Sequence, residues 1–403
     1  MGTSGIRALP DFNFLCNTGI KFDLSNIPVK AYSDKNPLKT LRKQIGQLLI
    51  VGFEPAEVTA QVRALLARLL PSGVILFTRN IASPEQTYQL LQQCRADAST
   101  PMFTAVDLEG GRVDRFRNVI GPAPSAADVF ATGDRRLFRK HGRIIGDTCR
   151  ALGFNTNFAP VLDLALEASR TVMSSRAVSS EPKQVILYAR EVLIGLHDAK
   201  VIGAGKHFPG LGEANLDTHH ELPSVNKSLR RMWDEDIVPY RTMRRELPMV
   251  LIGHANYPAV TKDNLPASLS KKWITDILRK KIGYGGLIVS DDMEMGAVLK
   301  MAPIEQVAVE FVRAGGDLCL ICRQEELVVR AYEALVKEAE RDRRFARRVA
   351  ESAARVLVSK QKSRALKGPM QPPTAEKVQH LTRRLWEFGE QIRLATIKQQ
   401  ELA

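Results

Sequence analysis

Hydrophobic positions in this chain gather into eight short, almost unbroken runs: QLLIVGF (47–53), GVILFTRN (73–80), MFTAVDLEGG (102–111), FNTNFAPVLD (154–163), VIGAGKHFPG (201–210), MVLIGHANYP (249–258), GLIVSDDM (286–293) and LCLICRQ (318–324). Continuous apolar runs of this length read as strands covered on both faces, as in a parallel sheet. Most are separated by stretches long enough for a helix. PEQTYQLLQQCRA (84–96) and SKKWITDILRKKIG (270–283) show helical periodicity with starting and stopping signals. Eight strands alternating with helices predict an α/β fold, a (β/α)8 TIM-type barrel. An open doubly wound sheet is the alternative, but no G-x-G-x-x-G follows the first strand.

The polar residues fall at the ends of these runs. They are Arg79 and Asn80, Asp107 and Glu109, Asp163, Lys206 and His207, His254, then Asp291 and Asp292. In a parallel barrel such ends share one face, the face on which active sites are built. Of the adjacent acids, one is expected to reach the centre and the other to brace a loop, because neighbours on a strand point opposite ways.

The fifth run leads into a loop, KHFPGLGEANLDTHH (206–220), broken by Pro209, Gly210 and Gly212 and bearing Asp217 and His219 two residues apart. A carboxylate beside an imidazole fixes its orientation and raises its basicity, fitting it to exchange a proton near neutral pH. No G-x-S-x-G surrounds Ser290, which argues against a serine triad. No H-x-H or H-E-x-x-H accompanies the acids, so neither metal nor cofactor is expected. A carboxylate nucleophile on one strand and a proton shuttle on a loop suit double displacement at an acetal carbon.

Around the barrel region (37–362), residues 1–36 read as an N-terminal arm. SRALKGPMQPP (363–373) reads as a linker, the start of a 363–403 extension. Beyond it Val378, Leu381, Leu385, Phe388 and Ile392 mark one amphipathic helix, expected to pack on the barrel or on a second copy, so that the chain is a monomer or a homodimer.

Composition adds limits. The 403 residues, 44% hydrophobic, suffice for a large core, and no apolar run approaches a membrane span. The first twenty residues do not read as a secretory signal, and five scattered cysteines fit a reducing compartment, so a cytoplasmic location is expected. Cys319 and Cys322 form a C-x-x-C, but inside an apolar strand they read as core residues. The net charge of +14 raises nucleic acid as a partner. Residues 341–403 hold 15 Lys and Arg against 6 Asp and Glu, interleaved with Phe345, Val349, Ala353 and Val356 at helical spacing, which reads as a solvated helix face, and no nucleic-acid partner is expected.

Five linked motifs, DLEGGRVDRF, FAPVLD, KHFPGxG followed by D-T-H, GHANYPA and IVSDDMEMGA, stand in order on successive strand ends. With them the chain, over roughly residues 45–360, resembles glycoside hydrolase family 3, and within it the single-barrel β-N-acetylglucosaminidases of bacterial peptidoglycan recycling. The resemblance implies a retaining exo-glycosidase acting on N-acetylglucosaminides and muropeptides, with Asp291 as nucleophile and His219, held by Asp217, as acid and base. It implies that Asp107, Arg115, Arg176, Lys206 and His207 bind the hydroxyl groups of the terminal sugar. The chain departs from the family in having Leu211 within PGLG, where PGHG is usual, and Thr218 for the common serine. His220 competes with His219 for the shuttle role. A phosphorylase or broad β-glycosidase of the same family, and a non-catalytic sugar-binding barrel, are the rival readings.

Overall fold

The computed structural model describes residues 37–214 and 222–402. Each of the eight runs contains one strand of a closed barrel: β1 (Leu49–Val51), β2 (Gly73–Ile75), β3 (Phe103–Val106), β4 (Thr156–Asn157), β5 (Ile202–Phe208), β6 (Met249–Ile252), β7 (Leu287–Asp292) and β8 (Leu318–Ile321). All neighbours pair in parallel and in chain order, and β1 closes on β8 through Leu49↔Cys319, Ile50↔Leu320 and Val51↔Ile321. The fold is the (β/α)8 barrel that the sequence pattern predicts.

Both faces of these strands are covered, which is why the runs show no polar alternation. Ile50, Ile75, Ala105, Ala204, Leu251, Val289 and Leu320 fill the barrel interior, while Leu49, Val51, Val74, Val250, Ile288 and Cys319 belong to the layer between strands and helices. Cys319 and Cys322 fall in different clusters, as core cysteines rather than a pair.

Helices follow each strand, started by the residues that can satisfy their free amides. Thr59 caps Ala60–Leu69 by accepting from Val62 N at 3.2 Å. Ser83 caps Pro84–Arg95 by accepting from Gln86 N at 3.1 Å, with proline at the first helical position. The helices Arg135–Ala151 and Pro182–Asp198 approach so closely that a Cβ at Gly142 would lie 2.2 Å from Val192 O. The segment Lys272–Lys281 is helical as its periodicity indicates, but winds as a π-helix.

The C-terminal helix, Ala375–Leu402, lies along the barrel's own helices. Leu381, Leu385, Phe388 and Ile392 are buried, the Phe388 ring stacks on His141 at 5.9 Å, and Arg384 Nη1 reaches Asp147 Oδ2 at 3.1 Å. Its apolar stripe is thus used within the chain. Trp386, Leu394 and Ile397 face outward. Among the described residues no helix is long and apolar enough to cross a membrane.

Candidate active site

The carboxyl ends of the strands surround a cleft of about 260 Å³ lined by Asp107, Glu109, Arg115, Arg176, Lys206, His207, Asp291 and Asp292, with Phe77, Phe158, Met173 and Leu211 among its apolar walls. Six of the eight site residues expected from sequence therefore share one cavity. Asp217 and His219, together with His220, lie outside the described residues.

Two local irregularities open adjacent side chains onto the cleft. The pairing of β5 with β6 skips register between Gly205 and Phe208, and both Lys206 and His207 line the cavity. The pairing of β7 with β8 shifts between Leu318 and Leu320, and both Asp291 and Asp292 line it as well. Strict alternation, which admits only one of the two acids to the centre, is thereby corrected. Asp292 also braces its loop as expected, accepting from Glu294 N at 3.0 Å.

An ionic lattice forms one wall. Lys206 Nζ sits 2.7 Å from Asp107 Oδ1 and 2.6 Å from Glu109 Oε1. Arg176 grips Glu109 in a two-pronged contact, Nε to Oε2 and Nη2 to Oε1, both 2.8 Å, and its Nη2 points at His207 Nε2 at 3.4 Å. Burial works against the Glu109 carboxylate, but Arg176 and Lys206 hold it far below the usual glutamate range. Burial likewise opposes the Lys206 charge, and Asp107 and Glu109 restore it, leaving the ammonium more basic than an ordinary lysine. Arg176 comes from the short turn Ser174–Arg176, far from any barrel strand in sequence.

His207 is oriented from behind. Its Nδ1 lies 2.6 Å from Asp163 Oδ2, so Nδ1 carries the hydrogen and Nε2 faces Arg176 as an acceptor. The other oxygen of Asp163 accepts from Leu211 N at 2.7 Å, tying the end of the fourth run to the loop that leaves β5. Leu211 is buried and supplies apolar wall where the family pattern has a polar side chain.

Arg115 approaches from the hairpin Leu108–Gly110/Val113–Asp114, its guanidinium 5.3 Å from the centre of the Phe77 ring. Neither Asp114 nor Glu109 pairs with it: Asp114 accepts from Phe116 N and Ala123 N, and Glu109 is occupied. Its buried Nε has no partner among the described residues. Such a donor is available to a ligand hydroxyl.

Asp291 stands at the end of β7. Burial would push its carboxyl up, but the polar imidazoles of His207 and His254, the Asp292 amide and the Lys206 ammonium, the one full cation among them, together hold it below the ordinary aspartate value, so it is ionised at neutral pH. The Asp292 amide donates to Asp291 Oδ1 at 2.9 Å. Asp292 differs: burial, with Glu294 and Asp291 nearby, pushes its carboxyl up to about 7. One anion thus faces the cleft beside a second acid that is largely protonated below neutrality.

Three residues of the site carry no assigned role in the sequence reading although they stand among the strand-end polar groups: Glu109, Asp163 and His254. Glu109 could have been found, since it lies two residues after Asp107 in the same run. Arg79 and Asn80, by contrast, point no chemistry at the cleft. They bond to backbone carbonyls of residues 53–55 and 322 and tie the loop after β1. Among the described residues no cluster of His, Cys, Asp and Glu is arranged to ligate a metal.

Residues 40–358 match the family model described as "Glycosyl hydrolase family 3 N terminal domain". A protein of Alkalilimnicola ehrlichii named beta-hexosaminidase is 37% identical over 287 residues, 70% of this chain and 82% of its own length. A beta-hexosaminidase of Idiomarina loihiensis is 34% identical over 290 residues, 71% of this chain and 87% of its own. Among solved structures, a glycoside hydrolase family 3 beta-N-acetylglucosaminidase from Paenibacillus superposes with a TM-score of 0.80 at 32% identity, covering 86% of this chain and 68% of that one. The beta-N-acetylglucosaminidase of Thermotoga maritima superposes with a TM-score of 0.71 at 28% identity, covering 80% and 68%.

Proposed function

Because the chain belongs to glycosyl hydrolase family 3, we propose that it removes terminal β-linked N-acetylglucosamine, with muropeptides as its natural source, and does so with retention through a glycosyl-Asp291 intermediate. The observation that carries the mechanism is the ionised carboxylate of Asp291 at the base of a cleft rich in hydrogen-bonding groups. The names of the similar hexosaminidases support the sugar.

In this reading Asp107, Arg115, Arg176, Lys206 and His207 hold the hydroxyl groups of the non-reducing sugar. Asp291 attacks the anomeric carbon as His219, oriented by Asp217, protonates the departing oxygen. His219 then takes a proton from water, whose oxygen displaces Asp291 and releases the sugar with its original stereochemistry. An imidazole in place of the usual second carboxyl group avoids setting two negative charges across one sugar.

The test offers chromogenic β-N-acetylglucosaminide and β-glucoside, each with and without phosphate, and a muropeptide disaccharide. Turnover of the N-acetyl substrates with no gain from phosphate is expected; equal rates on both sugars defeat the N-acetyl assignment, and acceleration by phosphate favours a phosphorylase. Asp291→Asn should lose at least ~100-fold in kcat. For His219→Ala the loss should be smaller with a nitrophenolate leaving group than with the disaccharide, since only the poorer leaving group needs the proton.

We place the enzyme in the cytoplasm as a monomer or homodimer. The unpaired, buried thiols of Cys94, Cys149, Cys319 and Cys322 support a reducing setting. The burial of the C-terminal stripe supports the monomer, and Trp386, Leu394 and Ile397 are the surface a second copy would cover. Cell fractionation and sedimentation distinguish these outcomes.

A further inference from the structure

His254 follows β6, is fully buried, and does not line the cleft. Its Nε2 lies 2.9 Å from the carbonyl oxygen of Asp292. A carbonyl only accepts, so Nε2 carries the hydrogen. Its Nδ1 lies 2.7 Å from the hydroxyl of Ser268, itself buried in the turn Ala267–Leu269. Burial keeps the ring less basic than an ordinary histidine, so it is neutral, and Nδ1 accepts from the serine. Ser268 thereby selects the tautomer that can donate to Asp292.

What this bond holds is the exit of β7. The peptide linking Asp292 to Met293 is gripped at both ends: its oxygen by His254, its N–H by the Leu320 carbonyl at 2.9 Å. One residue earlier, the Asp292 N–H is bonded to Asp291 Oδ1. A single residue therefore separates the fixed peptide from the amide that orients the nucleophilic carboxylate.

We propose that His254 is a positioning residue for Asp291, acting through the Asp292 backbone, and that Ser268 keeps it in the tautomer this requires. The inference rests on the reading of Asp291 as nucleophile. It concerns the angle at which that carboxylate meets the anomeric carbon, where a misplacement of 1 Å costs on the order of 100-fold in rate. The sugar-binding groups Asp107, Lys206 and Arg176 are held by their own ion pairs and do not depend on His254.

The test uses the full chain and 4-nitrophenyl N-acetyl-β-glucosaminide. His254→Phe keeps the ring but loses both nitrogens; kcat should fall ~10- to 100-fold while KM and inhibition by free N-acetylglucosamine stay within about twofold. His254→Gln returns a donor to the Asp292 carbonyl and should recover at least about tenfold over the Phe variant. Ser268→Ala should lose several-fold in kcat, again at constant KM. A purely structural role predicts something else: lowered thermal midpoints in all three variants, with kcat per folded molecule unchanged.

A Phe variant with kcat within twofold of the parent overturns the proposal, as does a loss shared equally by kcat and KM. If the Phe variant does not fold, Ser268→Ala decides alone, and an unchanged kcat overturns it. Asp291→Asn in the same assay separates the two levels. An active Asp291→Asn defeats the glycosyl-aspartate reading, whereas an inactive one alongside fully active His254 and Ser268 variants defeats only the positioning role.

Discussion

Glu109 shows how much of the cleft depends on one carboxylate, both of whose oxygens are engaged by neighbouring cations. It neutralises Lys206, which is almost wholly removed from solvent, together with Arg176, which is largely so. Replacing it with glutamine leaves both charges in place and takes away the partner they share. Removing one member of a buried pair costs about 3–5 kcal/mol, because the remaining charge stays desolvated. Glu109→Gln should therefore lower the thermal midpoint and also raise KM for the N-acetylglucosaminide at least ~10-fold, since both cations shift toward Asp107 or solvent. Calorimetry and steady-state kinetics on the same preparation check this; parental values of both would show that Asp107 alone balances the site. Sequence made Asp107, Lys206, His207 and Asp291 visible because each ends an apolar run. Glu109 stands in the same run as Asp107, but what it and Asp163 pair with lies 67 and 44 residues away along the chain, which no local spacing reveals.

At the scale of elements, the period of the hydrophobic pattern carried the barrel, and its departures have identifiable causes. The fourth run yields only Thr156–Asn157 as strand because side chains replace ladder bonds around it. Asn155 Oδ1 accepts from Thr104 N at 2.8 Å, and Asn157 exchanges bonds with the Leu108 N–H and carbonyl. Pro160, lacking an N–H, follows. The winding of Lys272–Lys281 as a π-helix was not legible, since its apolar spacing is the same that an α-helix uses. For the C-terminal helix, the spacing of Leu381, Leu385, Phe388 and Ile392 revealed a buried face but not what buries it. The answer, His141 and its neighbours on Arg135–Ala151, makes a stability test direct. Phe388 is fully buried, and Phe388→Ala should cost about 3–5 kcal/mol, seen as an earlier denaturant midpoint, with kcat unchanged below the transition. A loss under about 1 kcal/mol would mean that the helix contributes little to the barrel it covers.

For the whole molecule, buried charge meets opposite charge at both ends of the barrel, and Lys360 departs from that rule. At the mouth, Lys206 and Arg176 meet carboxylates around a cavity, and at the opposite end Asp317 pairs with Arg279, Arg348 and Arg355; at that same end Lys360, from the helix Arg343–Lys362, enters the base of the barrel with no carboxylate partner among the described residues. Its Nζ reaches Gln47 Oε1 at 2.8 Å and Thr100 Oγ1 at 3.3 Å and lies 5.3 Å from the centre of the Phe103 ring. Burial pushes its pKa down to about 7, against 10.5 for an ordinary lysine. Between these values the unfolded chain holds a proton that the folded chain has released, so this group lowers stability as pH falls from about 10.5 to about 7, by roughly 1.4 kcal/mol per pH unit. Below about 7 both states are protonated and the penalty is constant. Lys360→Met keeps the length of the stem and removes the ammonium, and Gln47 Oε1 still accepts from Thr100 Oγ1 at 3.2 Å, so no acceptor is stranded. The methionine variant should therefore melt above the parent at pH 6, and the gap should narrow steadily from about pH 7 toward pH 10, where the parent's lysine is neutral in the fold while the unfolded chain still holds most of its proton. Measuring both midpoints across that range isolates the single group, because every other titrating residue is common to the two proteins. A gap that does not change with pH would place a fully charged ammonium at the base of the barrel, stabilised by Phe103 and the two oxygens alone.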